Sequence, residues 1–163
     1  DNTLVKPDAT CYERKQSYAK TPRYGFTAVC INPSYVQTAA RLLSGSSVKV
    51  CSVIGFPLGA TSTAAKVHEA IQAFNDGAQE TDMVMNVVML KSGNHSFVRN
   101  DLAEVVETGR TRIAATKVIL ETCLLTDEEK ITAGSPAMEA GDDFVKTSTG
   151  FSRGGATVQA YSS

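Results

Sequence analysis

Six short runs rich in β-branched and other apolar residues recur along the chain, each separated from the next by a stretch with helical spacing. The runs are Thr3 to Lys6, Thr27 to Ile31, Val48 to Val53, Asp82 to Val88, Thr116 to Glu121 and Asp143 to Lys146. Hairpins need only a few turn residues, whereas parallel strands need long crossovers, so this alternation predicts an α/β protein with a parallel sheet wrapped in helices. Several runs are nearly continuous in apolar residues, as strands covered on both faces must be.

The intervening stretches carry helix signals of their own. Pro33 to Leu43 has proline in its first turn and Val36, Ala39, Ala40 and Leu43 on one face, ending at Ser44 and Gly45. Ser62 to Phe74 places Val67, Ala70, Ile71 and Phe74 at helical spacing and stops at Asn75, Asp76 and Gly77. Phe97 to Thr108 repeats the device with Val98, Leu102, Val105 and Val106 ahead of Gly109. Thr126 opens a further helix through a capping box with Glu129, and Gly134, Ser135 and Pro136 are expected to break or kink it. No linker, repeat or low-complexity tract divides the chain, so residues 1–163 are read as one domain. Two architectures fit, an open doubly wound sheet and a (β/α)8 barrel cut short; the 163-residue length by itself favours the open sheet.

Charge narrows the function. Sixteen basic residues against seventeen acidic leave a net charge of −1, which argues against a nucleic-acid or anionic-membrane surface but leaves room for one phosphate. The longest apolar stretches, Val48 to Pro57 and Met83 to Leu90, fall far short of the roughly 20 residues of a membrane helix. The chain opens on Asp1 without a methionine or a basic-then-apolar leader, so a signal peptide is read as absent or already removed, residues before Asp1 are left open, and the protein is read as cytoplasmic. Cys11, Cys30, Cys51 and Cys123 are scattered without a Cys-x-x-Cys pair and are expected to be buried free thiols.

Three charged residues interrupt otherwise apolar strands: Asp82, Lys117 and Lys146. Buried charge is costly unless paired. If the three faces converge, a partly desolvated lysine beside a second cation loses its proton more readily and its neutral amine can attack a carbonyl. The alternative is a structural ion pair between Asp82 and one lysine, the other lysine reaching solvent. Thr147, Ser148, Thr149 and Gly150 follow Lys146 at a strand's C-terminal end, where parallel α/β folds bind ligands. Gly154 and Gly155 beside Arg153 make a weak phosphate-loop signal, and Gly55 to Gly59 reads as the loop after the third strand. His68, on the polar side of its helix, and His95, in a loop, read as surface residues without metal-ligand spacing. Asp127 to Glu129 suit a helix start, and Met83, Met85 and Met89 suit a core.

Six stretches follow one another in a familiar order: Asp1 with Thr3-Leu4-Val5-Lys6-Pro7, Val29-Cys30-Ile31-Asn32-Pro33, Val53-Ile54-Gly55-Phe56-Pro57-Leu58-Gly59, Asp82-Met83-Val84, Lys117-Val118-Ile119-Leu120-Glu121-Thr122, and Phe144-Val145-Lys146-Thr147-Ser148-Thr149-Gly150. Over nearly the whole chain the sequence thereby resembles the 2-deoxyribose-5-phosphate aldolases, class I Schiff-base enzymes built on a (β/α)8 TIM barrel. The resemblance overrides the length argument and implies an incomplete barrel of about six βα units. It implies reversible cleavage of 2-deoxy-D-ribose 5-phosphate to D-glyceraldehyde 3-phosphate and acetaldehyde, with no metal or organic cofactor. On this likeness Lys146 matches the Schiff-base lysine, Asp82 the proton-relay carboxylate and Lys117 a lysine of the fifth strand that supports the amine electrostatically. Cys30, Thr147, Ser148, Thr149 and Gly150 fall at substrate-pocket positions.

Departures accompany the likeness. The family continues through two further strand-helix units bearing a second essential lysine and most of the phosphate loops, while this sequence stops at Ser163. Asn2 stands where histidine is usual, Gln79 where an acid is usual, Val88 where glycine is common and Asp142 where a small apolar residue is common. Two functions are therefore carried forward: an aldolase acting on a phosphosugar, able to form homo-oligomers, and a catalytically inactive truncated barrel that binds or scaffolds. A flavodoxin-like nucleotide binder is the weakest reading, since no early glycine-rich loop is present.

Overall fold

The computed structural model describes residues 1–141 and 143–155, without the side chains of residues 11, 12, 15, 22, 23, 137 and 138. The strands are β1 (Asn2–Leu4), β2 (Ala28–Ile31), β3 (Lys49–Ile54), β4 (Glu80–Val84), β5 (Ala115–Ile119) and β6 (Phe144–Lys146). The helices are α1 (Cys11–Lys20), α2 (Val36–Leu42), α3 (Thr63–Asn75), α4 (Val87–Lys91), α5 (His95–Arg110) and α6 (Asp127–Ala140). Every strand pairs in parallel with the next, in the order β1-β2-β3-β4-β5-β6. A doubly wound sheet reverses its order at a switch point. This one never does, so it winds in one direction as a half-barrel, the arrangement expected from the family likeness and not the one favoured by length.

Strand alternation splits the interior in two. Val29, Ile31, Val50, Ile54, Met83 and Val118 face the helices and join Ala70, Phe74, Val98, Leu102 and Val105 in the larger core. Ala28, Cys30, Cys51 and Val53 form a smaller cluster with Val5 on the opposite, inner face. Thr81 and Thr116 meet within the outer layer through a 3.2 Å hydroxyl contact.

Helix starts follow the local signals. Ser62 caps α3 through Ala65 N–H, and Thr126 with Glu129 makes the expected reciprocal bonds at 3.2 and 2.8 Å. Several expectations need correction. The fourth strand begins at Glu80 and ends at Val84, because Asn86 caps a short helix over Val87–Lys91. The helix after Pro33 opens as a 3-10 turn and ends at Leu42. α5 begins at His95, which is not in a loop, since Asn94 caps it, and it runs through Gly109 to Arg110. α6 is continuous across Gly134, Ser135 and Pro136, packed along α5. Of the cysteines, Cys30 and Cys51 are buried free thiols as expected, Cys123 is exposed, and the side chain of Cys11 lies outside the described residues, as does Asp142.

Helix α1 has no counterpart in the periodicity. Among its described side chains the inward residues are Arg14 and Tyr18, one turn apart and each 2% exposed. Tyr18 joins the larger core, while Arg14 donates to the carbonyls of Leu4 at 2.9 Å, Lys6 at 3.0 Å and Ala9 at 3.2 Å, and stacks 3.8 Å over the Tyr35 ring. Among the described residues, no helix is long and apolar enough to cross a membrane.

Candidate active site

Partners in a parallel ladder point to the same face, so register decides which side chains meet. Cys30 on β2 is aligned with Cys51 on β3, Val53 on β3 with Asp82 on β4, and Asp82 with Lys117 on β5. Lys146, at the end of β6, is aligned with Ile119. All face the interior of the half-barrel.

The three strand charges converge on one carboxylate. Lys117 Nζ lies 3.1 Å from Asp82 Oδ1, while Lys146 Nζ donates to Oδ2. Asp82 is buried, whereas the Lys146 side chain keeps 31% of its surface open. Lys146 is therefore both paired and reachable, and the reading that sends one lysine away to solvent does not describe the structure. Two further carboxylates belong to the cluster. Asp1 Oδ2 lies 3.1 Å from Lys146 Nζ and 3.9 Å from Lys117 Nζ. Glu80, two residues before Asp82 and on its face, holds Lys117 at 2.5 Å and Lys49 at 3.0 Å. Both acceptor oxygens of Asp82 also receive thiols: Cys30 Sγ donates to Oδ2 at 3.3 Å and Cys51 Sγ to Oδ1 at 3.1 Å.

The electrostatics follow from this packing. Burial opposes the charge on Asp82, but the ammoniums of Lys117 and Lys146 outweigh it and hold the carboxyl below its ordinary range. Glu80 is lowered in the same way, burial being offset by Lys117 and Lys49. Burial likewise opposes the charge on Lys117, yet the carboxylates of Asp82 and Glu80 around it raise its pKa, so it is a fixed cation at neutral pH. Burial pushes the Cys51 thiol well up, and it stands as a neutral donor.

The segment after Lys146 is anchored to the end of β5. Leu120 N–H donates to Lys146 O at 2.9 Å and Thr122 N–H to Thr147 O at 2.8 Å. Glu121 takes a left-handed backbone conformation, φ 56°, which turns its buried carboxylate onto the loop. It accepts from Thr149 N–H at 3.3 and 3.4 Å and from the Thr149 hydroxyl. Thr149 therefore spends its donors on shaping the loop, and Gly150, at φ +83° and exposed, makes the turn that follows. Ser148 donates to Thr147 Oγ1 at 3.2 Å. Arg153 and Gly155 are exposed, and Gly154 packs against Cys123. The Gly55 to Gly59 loop follows β3 and contains a cis Phe56–Pro57 bond; Gly59 packs on the backbone of Val84 and Met85, where a side chain would collide. A separate groove of about 710 Å³ lies along β1 and α1, lined by Leu4, Lys6, Glu13 and Tyr24 among others, and none of the ionic cluster borders it.

Of the residues singled out by sequence, Asp82, Lys117, Lys146 and Cys30 meet at this cluster, and Thr147 to Gly150 adjoin it through β6. Asp1, Glu80, Cys51 and Glu121 were not singled out as site residues. Asn2 donates from its amide to Ser17 Oγ and Thr21 Oγ1, both at 2.8 Å, tying β1 to α1.

A model of the DeoC/LacD family aldolases matches residues 3–163. The chain belongs to this aldolase family. A deoxyribose-phosphate aldolase of Clostridium kluyveri is 54% identical over 159 residues, 98% of this chain and 72% of that protein. One from Caldanaerobacter subterraneus is 52% identical over 160 residues, 98% of this chain and 69% of that protein. Among solved structures, a candidate deoxyribose-phosphate aldolase of Coccidioides immitis superimposes with a TM-score of 0.96 at 41% identity, covering 99% of this chain and 63% of its own. The deoxyribose phosphate aldolase of Aeropyrum pernix, described as tetrameric, gives 0.85 at 34% identity over 93% of this chain and 63% of its own. The chain thus spans about seven tenths of the curated aldolases and less than two thirds of these two solved ones.

Proposed function

We propose that this chain carries a deoxyribose-phosphate aldolase site with Lys146 as the Schiff-base amine, Asp82 as its proton relay and Lys117 as fixed electrostatic support. The observation that carries the reading is the meeting of both lysines on one buried, ionised carboxylate across three neighbouring parallel strands. Lys146 gives up a proton, its amine attacks the aldehyde carbon of 2-deoxy-D-ribose 5-phosphate, and loss of water gives an iminium. The iminium draws in the electrons of the carbon-carbon bond beside it, and the substrate hydroxyl loses its proton as D-glyceraldehyde 3-phosphate departs. The remaining enamine takes up a proton, and water releases acetaldehyde and restores Lys146. Asp82, already bonded to Lys146 Nζ, is placed to move the protons of carbinolamine formation and dehydration. Asp1, 3.1 Å from the same nitrogen, offers a second acceptor. No cofactor enters this scheme, and Cys30 and residues Thr147 to Gly150 form the proposed rim of the phosphosugar pocket.

The competing reading, a barrel that binds without turnover, draws on the same double pairing, because a lysine tied to Asp82 and Asp1 serves equally as a structural ion pair. One experiment separates them. The purified chain is incubated with acetaldehyde or deoxyribose 5-phosphate, reduced with borohydride and mapped by peptide mass spectrometry. A reduced adduct on Lys146 is expected; a folded chain that forms none is a binder or scaffold.

A further inference from the structure

We infer that Cys30, Cys51 and the Asp82 carboxylate constitute a site for a thiophilic divalent cation of the zinc and cadmium class, and that its occupation removes Asp82 from the proposed chemistry. The two cysteines are direct partners on neighbouring parallel strands, so their side chains leave the sheet side by side on one face. Each sulfur already touches one oxygen of the same carboxylate, at 3.3 and 3.1 Å. One ligand atom from each of the three residues lies within 4.8 Å of the other two, and all three residues are buried.

This spacing is close to what the ion demands. With Zn–S near 2.3 Å and Zn–O near 2.0 Å in a tetrahedron, sulfur and oxygen ligands sit about 3.5 Å apart and two sulfurs about 3.8 Å apart. The observed sulfur–oxygen separations, each to a different oxygen of the carboxylate, differ from that by a few tenths of an ångström, and both sulfurs lie within 4.8 Å of one shared oxygen and of each other, so side-chain rotations within a fixed sheet bring the three ligands together. Two sulfurs and one oxygen are a soft donor set, suited to zinc or cadmium and unsuited to magnesium or calcium, which take oxygen ligands. Solvent supplies the fourth ligand.

The charge balance closes as well. Three carboxylates, Asp1, Glu80 and Asp82, face two ammoniums, Lys117 and Lys146. The ion enters as M²⁺ + 2 RSH → M(SR)₂ + 2 H⁺, so the cluster's net charge is the same before and after, and nothing is oxidised or reduced. Lys117, which touches Asp82 Oδ1 at 3.1 Å and Cys51 Sγ at 3.6 Å, gives up both contacts to the ion and keeps its 2.5 Å bond to Glu80, and the partly open Lys146 keeps Asp1 at 3.1 Å. Lys146 loses Asp82, and with it the group placed to move its proton.

Cadmium titration of the full chain, in a Cys11→Ser, Cys123→Ser background that leaves only this pair, reads binding directly. The ultraviolet thiolate-to-cadmium charge-transfer band is expected to saturate at one equivalent, and equal magnesium to produce nothing. Cys30→Ser and Cys51→Ser, with Cys30→Ala and Cys51→Ala as second variants should either fail to fold, are each expected to weaken cadmium binding by at least about tenfold. Absence of the band, or a band unchanged in the Cys30 and Cys51 variants, overturns the site. The effect on turnover rests on the aldolase reading, but binding does not. Cadmium is expected to abolish the borohydride adduct on Lys146. An adduct that survives saturating cadmium overturns the inhibitory part, whereas a chain that never forms the adduct yet shows the band overturns the aldolase reading alone.

Discussion

Asp82 answers two opposed demands: it is buried, and it is ionised. Isolated, such a carboxylate protonates; here Lys117 and Lys146 reverse that outcome and its pKa falls below the ordinary value of 3.8. A depressed folded-state value means that the charged form stabilises the fold above the ordinary value and that this contribution fades as pH drops through the folded value. Asp82→Asn is therefore expected to flatten the acid limb of stability, so that denaturant titrations separate the two proteins at pH 7 and bring them together near pH 2. A constant gap across that range counts against the assignment. In turnover the same change is expected to cost about 10²–10⁴-fold in kcat, as for loss of a positioned proton-transfer group. Glu121 acts at one remove, through Thr149. Glu121→Ala loses its charge-assisted bonds to the loop and is expected to raise KM for the phosphosugar by about tenfold while kcat moves less, the signature of a loosened binding loop. Equal falls in kcat and kcat/KM would instead place Glu121 in the chemistry. Asp82, Lys117 and Lys146 were legible in the sequence because a charge inside an apolar strand demands a partner. Asp1 and Glu80 were not, since Asp1 lies just before β1 and Glu80 opens β4, places where polar residues are ordinary, and their role comes from which strands adjoin. Cys51 was read only as a buried thiol, because its contact with Asp82 depends on register.

Between elements, the parts that hold the site in place are also polar. Lys66 on α3 and Asp101 on α5 form a fully buried pair at 2.5 Å, and Lys66 also donates to Val84 O, the last residue of β4, at 3.0 Å. Glu69, one turn along α3, accepts Gly55 N–H at 2.7 Å just past β3. One helix thus pins the C-terminal ends of the two strands that carry Cys51 and Asp82. Burial lowers the pKa of Lys66, with Asp101 opposing the shift. Lys66→Met leaves Asp101 buried without its cation and is expected to cost about 3–5 kcal/mol, whereas Lys66→Met with Asp101→Leu recovers most of that loss. Chemical denaturation of both variants checks this; a double variant no better than the single one refutes it. Helix α6 gives the opposite case, since Pro136 lies inside it. An interior proline costs about 3 kcal/mol relative to alanine, less up to about 1 kcal/mol for its restriction of the unfolded chain. Pro136→Ala is thus expected to stabilise by about 2 kcal/mol, read as a raised denaturation midpoint at unchanged slope. The helices show where sequence patterns succeed and fail. The apolar stripes of α3 and α5 and the capping box of α6 located them within a few residues. The break expected at Pro136 did not materialise because packing against α5 overrides local propensity, and α1 escaped notice because its buried face pairs Tyr18 with an arginine and makes no apolar stripe.

At the scale of the whole molecule, the strand order makes a curved wall whose outermost members are β1 and β6. Among the described residues no strand pairs with the outer edge of either. β6 presents Phe144 and Val145, 62% and 50% exposed, along an edge with unpaired backbone groups, which is the template for strand pairing between molecules. Charge does little to prevent it. The net charge is −1 with a sequence pI near 6.1, so repulsion between copies nearly vanishes around pH 6 and grows as pH rises. The 163-residue chain is therefore expected to associate with increasing concentration, more strongly at pH 6 than at pH 8, by light scattering or sedimentation. Val145 is the position at which to test the route. On a parallel strand its side chain leaves by the outer face, with Val118 as its ladder partner, so a charge there reaches solvent without entering the lysine cluster. Val145→Lys is expected to lower association at both pH values and to leave the borohydride adduct on Lys146 intact. Association that persists undiminished in that variant assigns the contact to some surface other than the β6 edge, and a chain monomeric at both pH values removes the edge argument altogether.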